Sequence, residues 1–340
     1  MIPPFRMRPA LKTDFDALML LAEESGPGFT SLPVHERVLS ERLALSEESF
    51  AGRLEQPAYG KYLMMLENVE TGEIAGCSAV KAGTGVKAPF FNYRIITVAQ
   101  ASMEAGRRFD MDALVLTNEF IGYTEVGTLF LREAFRGGGA GGLLAQSRYL
   151  LMAAAPDRFG EMVLAELRGV VDAEGRAPFW DHLGRYFFRM SFPEADLLSA
   201  TTNNQFILDL MPKYPVYVDL LPPEAREVVG RCHADGVPAL KLLEREGFRF
   251  ERVVDIFDGG PIVVAPRRMI RTIRDSRRIR LDVGEATGQR GLVASADITQ
   301  FRATLAQGEI TQDGRFVVDQ ETLDRLELAP GSEAIFWERS

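Results

Sequence analysis

A glycine run, GGGAGG at residues 137–142, sits between a strand-like stretch, residues 124–131, and an apolar helical stretch, LLAQSRYLLMAAA at 143–155. A second strand-like stretch, MVLAELRG at 162–169, follows. Strand, loop, helix, strand is a crossover unit, which lays its two strands parallel with the helix on one face of the sheet. It is the one clear crossover the sequence offers. The strand candidates upstream are joined by turns instead: KYLMMLE and EIAGCSAVKA flank NVETG, and 93–98 and 112–118 follow before 124–131. One crossover among hairpins predicts an α+β fold with a mixed, mainly antiparallel sheet flanked by helices.

The glycine run admits two chemistries. Gly137, Gly139 and Gly142 satisfy G-x-G-x-x-G, a dinucleotide fingerprint where strand–helix alternation continues around it. Here hairpins precede it, and no lysine follows the run as a P-loop needs. Arg136, Gly139 and Gly141 satisfy R-x-x-G-x-G. Residues without side chains let several backbone N–H groups converge on a pyrophosphate at a helix N-terminus, and Arg136 adds a charge-assisted bond. The bland alternative is a flexible glycine connection.

Composition narrows the partners. With 46% hydrophobic and 26% charged residues, the 340-residue chain is a globular protein with a full core, long enough for two domains or one with an appendage. Its net charge is −9, and the 39 basic residues are scattered among 48 acidic ones. Nucleic acid wants a basic stripe, and the one basic cluster, IRTIRDSRRIR at 270–280, reads as a solvated helix face. An anionic ligand must therefore be held by a local device. The apolar stretch at 17–22 is too short for a signal core, and nothing is long enough to cross a membrane. Cys77 and Cys232 form neither a disulfide framework nor a metal spacing, so no metal and a cytoplasmic location are expected.

The remaining pattern places the other elements. A helix capped by Thr13, with Phe15, Leu18, Met19 and Ala22 on one face, opens the fold and ends at Gly26. The loop GFTSLPVHE leads into helical stretches over 36–56. Helices are expected at 179–187, 204–210 and 238–246, then a hairpin, FRFERVVDIFDGGPIVVA. From about Leu281 come short β-like pieces, RGLVAS, DGRFVVD and SEAIFWE, so residues 1–280 read as the main domain and 281–340 as a small β-rich appendage.

R-x-x-G-x-G between strand and helix is the acyl-CoA motif of GNAT N-acyltransferases, and over most of residues 6–280 the chain resembles the arginine N-succinyltransferases. The matching stretches are TSLP (30–33), FNYR (91–94), TLFL (128–131), SRYLLMAA (147–154), RGVVD (168–172) and APFWDHLG (177–184). LMPKYPVY (210–217) and EGFRFERVVDIFDGGP (246–261) are the most specific of them. The resemblance implies a GNAT-like fold and an enzyme that moves succinyl from succinyl-CoA to the α-amine of L-arginine, in a bacterial route of arginine degradation. Succinyl-CoA is then a co-substrate, with no permanently bound cofactor. Ornithine is an alternative acceptor, and the family implies a homo-oligomer or pairing with a related subunit, one of which can be a non-catalytic acyl-CoA binder.

The same resemblance puts coenzyme contacts at Leu129, Arg136, Gly137, Gly139 and Gly141. It also assigns His233, in VVGRCHADG, as proton donor, although Cys232 and Ala234 depart from the family's G-x-V-H-P pattern. His35 and His182 read as surface or core histidines. Arg94 and Arg168 are candidates for a substrate carboxylate, with Glu166 beside Arg168 on one strand face, an arrangement that equally suits a structural ion pair. Asp255 and Asp258 suit a guanidinium, but DGGP is foremost a tight turn.

Overall fold

The computed structural model describes residues 2–339 apart from 27, 28, 30, 173, 203 and 286, so Thr30 of the TSLP stretch lies outside the described residues. The first element is a strand, β1 (Phe5–Pro9), where the sequence pointed to an opening helix. Phe5, Met7 and Pro9 point inward and the two arginines between them do not, a period of two too short to stand out among flanking prolines. Helix α1 (Phe15–Glu24) follows, entered through a 3-10 turn at Lys12–Asp14, with Asp14 rather than Thr13 at its N-cap. Leu18, Leu21 and Ala22 bury its face, and Gly26 takes a φ of 75° just beyond it. In α2 (Glu36–Phe50), the cap is His35, whose Nδ1 accepts from the Val38 N–H at 3.4 Å.

The expected hairpin is present as β2 (Lys61–Asn68) and β3 (Ile74–Lys81). Strands β4 (Asn92–Ser102) and β5 (Arg107–Thr117) form a longer hairpin than the sequence marked, because its outer half is polar and exposed. Strand β6 (Thr124–Leu131), helix α3 (Ala140–Ala154) and strand β7 (Met162–Glu166) make the crossover. β7 stops at Glu166, so Arg168 lies in a loop. A π turn at Trp180–Gly184 runs into α4 (Arg185–Phe188). Next comes α5 (Phe192–Thr201), unexpected from sequence although Ser191 and Glu194 form a capping box with Pro193 in the first turn. Then follow α6 (Gln205–Leu210), β8 (Val216–Tyr217), α7 (Pro223–Arg226), α8 (Val237–Glu246) and the hairpin β9 (Arg249–Asp255) with β10 (Pro261–Pro266).

The basic cluster at 270–280 is not a single solvated helix. It divides into α9 (Arg271–Arg274) and the start of β11 (Arg277–Val283), with Ile270, Thr272 and Ile279 buried. The chain ends in β12 (Gln289–Ser295), β13 (Ala303–Ile310), β14 (Arg315–Val318), α10 (Gln320–Leu326) and β15 (Glu333–Glu338). Helix α10 was not expected in this β-rich tail, though Asp319 caps it through the Thr322 N–H at 2.8 Å.

All the strands join in one sheet, ordered β12-β15-β11-β14-β13-β1-β2-β3-β6-β7-β10-β9-β4-β5-β8. Most pairs are antiparallel, as expected; β6–β7 is parallel, and the tail adds a second parallel pair, β11–β14. A further pairing of β12 with β13 closes the last five strands into a small barrel. Its own interior gathers Leu281, Phe316 and Phe336, the two rings stacked at 4.2 Å. The barrel is also stitched to the rest. Arg6 pairs with Thr304 and Met7 with Ala303, and Leu292, Phe301, Ile335 and Trp337 share a core with Leu143, Leu144 and Leu150 of α3.

Candidate active site

The parallel pair β6–β7 is in register only at Thr124 with Val163 and Glu125 with Leu164. Beyond that β6 bends away. Its other edge, against β3, loses register between Cys77 and Ala79, and Thr128 takes a left-handed φ of 50° that a β-branched residue adopts only under constraint. A bulge of this kind bends its strand and increases the local twist. Residues 127–131 are thereby released from β7, and a cavity of about 1290 Å³ opens beside them, with Leu129 in its wall.

One end of the cavity is built from backbone. Gly137, Gly138 and Gly139 take φ values of 107°, 56° and 96°, and Gly139 is the N-cap of α3 with no side chain to satisfy the helix's first N–H groups. Those groups and the positive end of a 15-residue helix remain available to an anion. A Cβ on Gly139 would come within 2.8 Å of the Arg339 guanidinium, whereas one on Gly141 would meet only Leu131, at 3.7 Å. Arg136 and Arg339 both line the cavity here, and neither has a carboxylate within ion-pair distance among the described residues. Nothing in the sequence pointed to Arg339. It arrives from the residue after β15, through the barrel.

The other end is built from side chains. His233 lines the cavity; its N–H donates to the Arg168 carbonyl at 2.8 Å, and its Nδ1 accepts from the Asp235 N–H at 3.2 Å. With Nδ1 engaged in this way, Nε2 is the ring nitrogen left open to exchange a proton. His182 instead lies 3.3 Å from Glu224, away from the cavity lining, and His35 is spent as a helix cap. Next to His233, burial pushes the Cys232 thiol up to about 11, which leaves it un-ionised at neutral pH.

Glu166 faces the same space, and its buried Oε1 has no hydrogen-bond partner among the described residues. Burial, then the nearby Asp255 and Glu125 carboxylates, raise its carboxyl well above the ordinary range. Across the cavity Asp196 of α5 is pushed up to about 6, chiefly by burial and then by Asp255. Asp258 is tied by the Gly260 and Gly169 N–H groups at 2.8 and 2.7 Å, and Asp255 accepts from Phe257 and Asp258, so the tight-turn reading of DGGP holds for both. Asp255 still lines the cavity.

The arginines divide differently from the sequence expectation. Arg168 lines the cavity, with a buried Nε that has no partner among the described residues, and it forms no ion pair with Glu166 there. Because β7 has ended, the two are not side by side on a strand face. Arg94 is not brought to the cavity lining: its guanidinium grips Glu119 at 2.8 and 2.6 Å and donates to the Glu251 carbonyl. In its stead stands Arg42 of α2, a buried cation the sequence gave no reason to single out from a polar helix.

Comparison with known proteins sets these features in context. Residues 5–272 match the model of a family described as arginine N-succinyltransferase beta subunit, and 277–338 match that of its C-terminal domain. A protein of Escherichia coli named arginine N-succinyltransferase is 40% identical over 330 residues, which is 96% of this chain and 95% of that one. A protein of the same name from Salmonella newport is 40% identical over 328 residues, with the same coverage of both chains. The solved structure of arginine/ornithine succinyltransferase subunit AI from Pseudomonas aeruginosa superposes with a TM-score of 0.90 at 31% identity, over 99% of each chain.

Proposed function

We infer that this chain, which belongs to the arginine N-succinyltransferase beta subunit family, transfers the succinyl group of succinyl-CoA to the α-amine of L-arginine. The observation that carries the reading is the single cavity joining the N-terminus of α3 to the buried carboxylates beside the splayed β6. A coenzyme thioester needs an anion site at one end and a place for a cationic amino acid at the other, within reach of each other.

In this reading the pyrophosphate lies on the loop at 137–141, with Arg136 over it. The pantetheine arm runs along the free edge of β6, and a backbone N–H near Leu129 polarises the thioester carbonyl, a contribution of about 3 kcal/mol to the barrier. The neutral α-amine attacks that carbonyl; as the tetrahedral intermediate collapses, the C–S bond breaks, and the proton that the new amide nitrogen loses passes by way of His233 Nε2 to the departing thiolate. Glu166, with Asp255, meets the cationic acceptor, and Arg168, whose carbonyl holds His233, takes the acceptor carboxylate. Ornithine is a second acceptor to test, because the Pseudomonas protein is described for both amino acids. A cytoplasmic location, and either a homo-oligomer or pairing with a related subunit, belong to the same reading. No helix among the described residues is long and apolar enough to cross a membrane.

Thiol release from succinyl-CoA and from acetyl-CoA, followed against a panel of free amino acids, tests it. Rapid release is expected for succinyl-CoA with arginine. Retained coenzyme A binding with no turnover for any amino acid would make the chain the non-catalytic partner instead.

A further inference from the structure

Arg42 is a cation in the cavity wall that the protein leaves without a carboxylate partner among the described residues. It lies on α2, two turns beyond the His35 cap, and its guanidinium is largely withdrawn from solvent. Its one hydrogen bond among the described residues goes to the Ser31 carbonyl, and no carboxylate lies within ion-pair distance. The nearest candidates are engaged or set apart. Glu125 is held by Lys81 at 3.4 Å and by Thr84 at 3.3 Å, while Asp196 acts on Arg42 only over a longer distance. Burial alone disfavours the charged form of an arginine, yet a guanidinium does not give up its proton in proteins. A charge kept this way is stabilised when a ligand carboxylate enters, because the planar fork can bind both oxygens.

Its position identifies which carboxylate. The Ser31 carbonyl that accepts from Arg42 also accepts from the Thr128 hydroxyl, at 3.3 Å. Thr128 is the bulge residue of β6, next to Leu129, where the thioester carbonyl is held in the reading above. We propose that Arg42 binds the free carboxylate of the succinyl group and so selects a dicarboxylic acyl donor over a neutral one. In a succinyl thioester that carboxylate is three carbon–carbon bonds beyond the reacting carbonyl, on the side away from sulfur. Arg168 stands instead against His233, on the acceptor's side.

The proposal rests on the coenzyme lying along β6, and its test separates the two. Arg42→Met, which keeps length and removes charge, and Arg42→Lys are compared with the parent chain using succinyl-CoA and butyryl-CoA at saturating arginine. Butyryl-CoA has a methyl group where succinyl-CoA has its carboxylate. The ratio of kcat/KM for succinyl-CoA to that for butyryl-CoA is expected to fall about 10²-fold in Arg42→Met, the size of discrimination lost when a charged pairing is removed, and less in Arg42→Lys. The KM for arginine should stay within about twofold, a change too small to count as a lost contact. An unchanged donor ratio with a raised KM for arginine would assign Arg42 to the acceptor and overturn the proposal, as would equal losses with both donors. If Arg42→Met does not fold, the Arg42→Lys donor ratio decides alone. Failure of the underlying reading looks different: Gly141→Val would then leave coenzyme A affinity untouched in the parent background.

Discussion

The two ends of the cavity are made of different material. At the phosphate end the groups that matter are backbone N–H groups, contributed by consecutive residues 137–142 and oriented by one helix. At the acyl and acceptor end they are side chains: Arg42 from α2, Glu166 from β7, Asp196 from α5, His233 from a loop and Asp255 from β9. A backbone site needs only a permissive local sequence, and its chemistry is the same whatever fills it. A side-chain site exists only once distant elements pack, and its charges are tuned by one another: Asp255 raises both Glu166 and Asp196. In the function proposed above, the first kind of site holds a common coenzyme, while the second chooses what is transferred, and to what.

Deleting residues 281–340 should have the largest effect, erasing both ends together. The barrel covers the β1 edge and the α3 face and supplies Arg339 to the loop, so circular dichroism and coenzyme A titration should report neither a native fold nor binding. A folded truncation that binds coenzyme A would make the phosphate end independent of the tail.

Within the intact chain, His233→Ala should lower kcat by about 10²–10⁴-fold, the usual span for a general acid or base, while succinyl-CoA affinity holds. His35→Ala and His182→Ala should keep most of the turnover, and the pH–rate profile should lose an ionisation only in the His233 variant. Near-full activity of His233→Ala across that profile would move proton transfer to Glu166.

Gly141→Val and Arg136→Ala then measure the phosphate end alone. A Cβ at Gly141 meets only Leu131 within the protein, so this variant should fold and lose coenzyme affinity through blocked approach. Gly139→Val confounds the two effects, because φ there is 96° and Arg339 is too close. Arg136→Ala should weaken coenzyme binding by about tenfold to a hundredfold, the loss of one charged hydrogen bond. If either changes acceptor preference more than coenzyme affinity, the two ends are not separable.

The smallest effect is a pH slope at the side-chain end. The Asp196 carboxyl is raised from its ordinary value near 3.8 to about 6, so the folded chain holds a proton there that the unfolded chain has released. Its contribution to stability is therefore complete below 3.8 and lost as pH rises through 6. Denaturant titrations across that window should show a shallower decline in Asp196→Asn than in the parent chain. Equal slopes would mean that the carboxylate is already paired in the folded state.

The asymmetry also explains what was legible before any coordinates. R-x-x-G-x-G, the strand before it and the helix after it are written consecutively; β6 lies where the pattern put it, and α3 begins three residues earlier than expected, within the glycine run. The β2–β3 hairpin is equally local. Short β1, capped α5 and α10 carried weaker signals of the same kind, an alternation or an Asp or Ser cap, and were passed over. Arg94 and Arg168 stood out on strand-like stretches and Arg42 did not, yet nothing local in the sequence says which arginine will find a carboxylate. Packing separated them, by giving Arg94 a carboxylate at Glu119 and giving Arg42 none. The sequence by itself determined the crossover and the glycine loop at the N-terminus of α3, because backbone conformation is a local property of glycine spacing and helix capping. Which side chains were left unpaired inside the cavity was decided only by the tertiary structure, since a charge's partner can come from an element 321 residues away, as Arg6 shows in meeting Glu327.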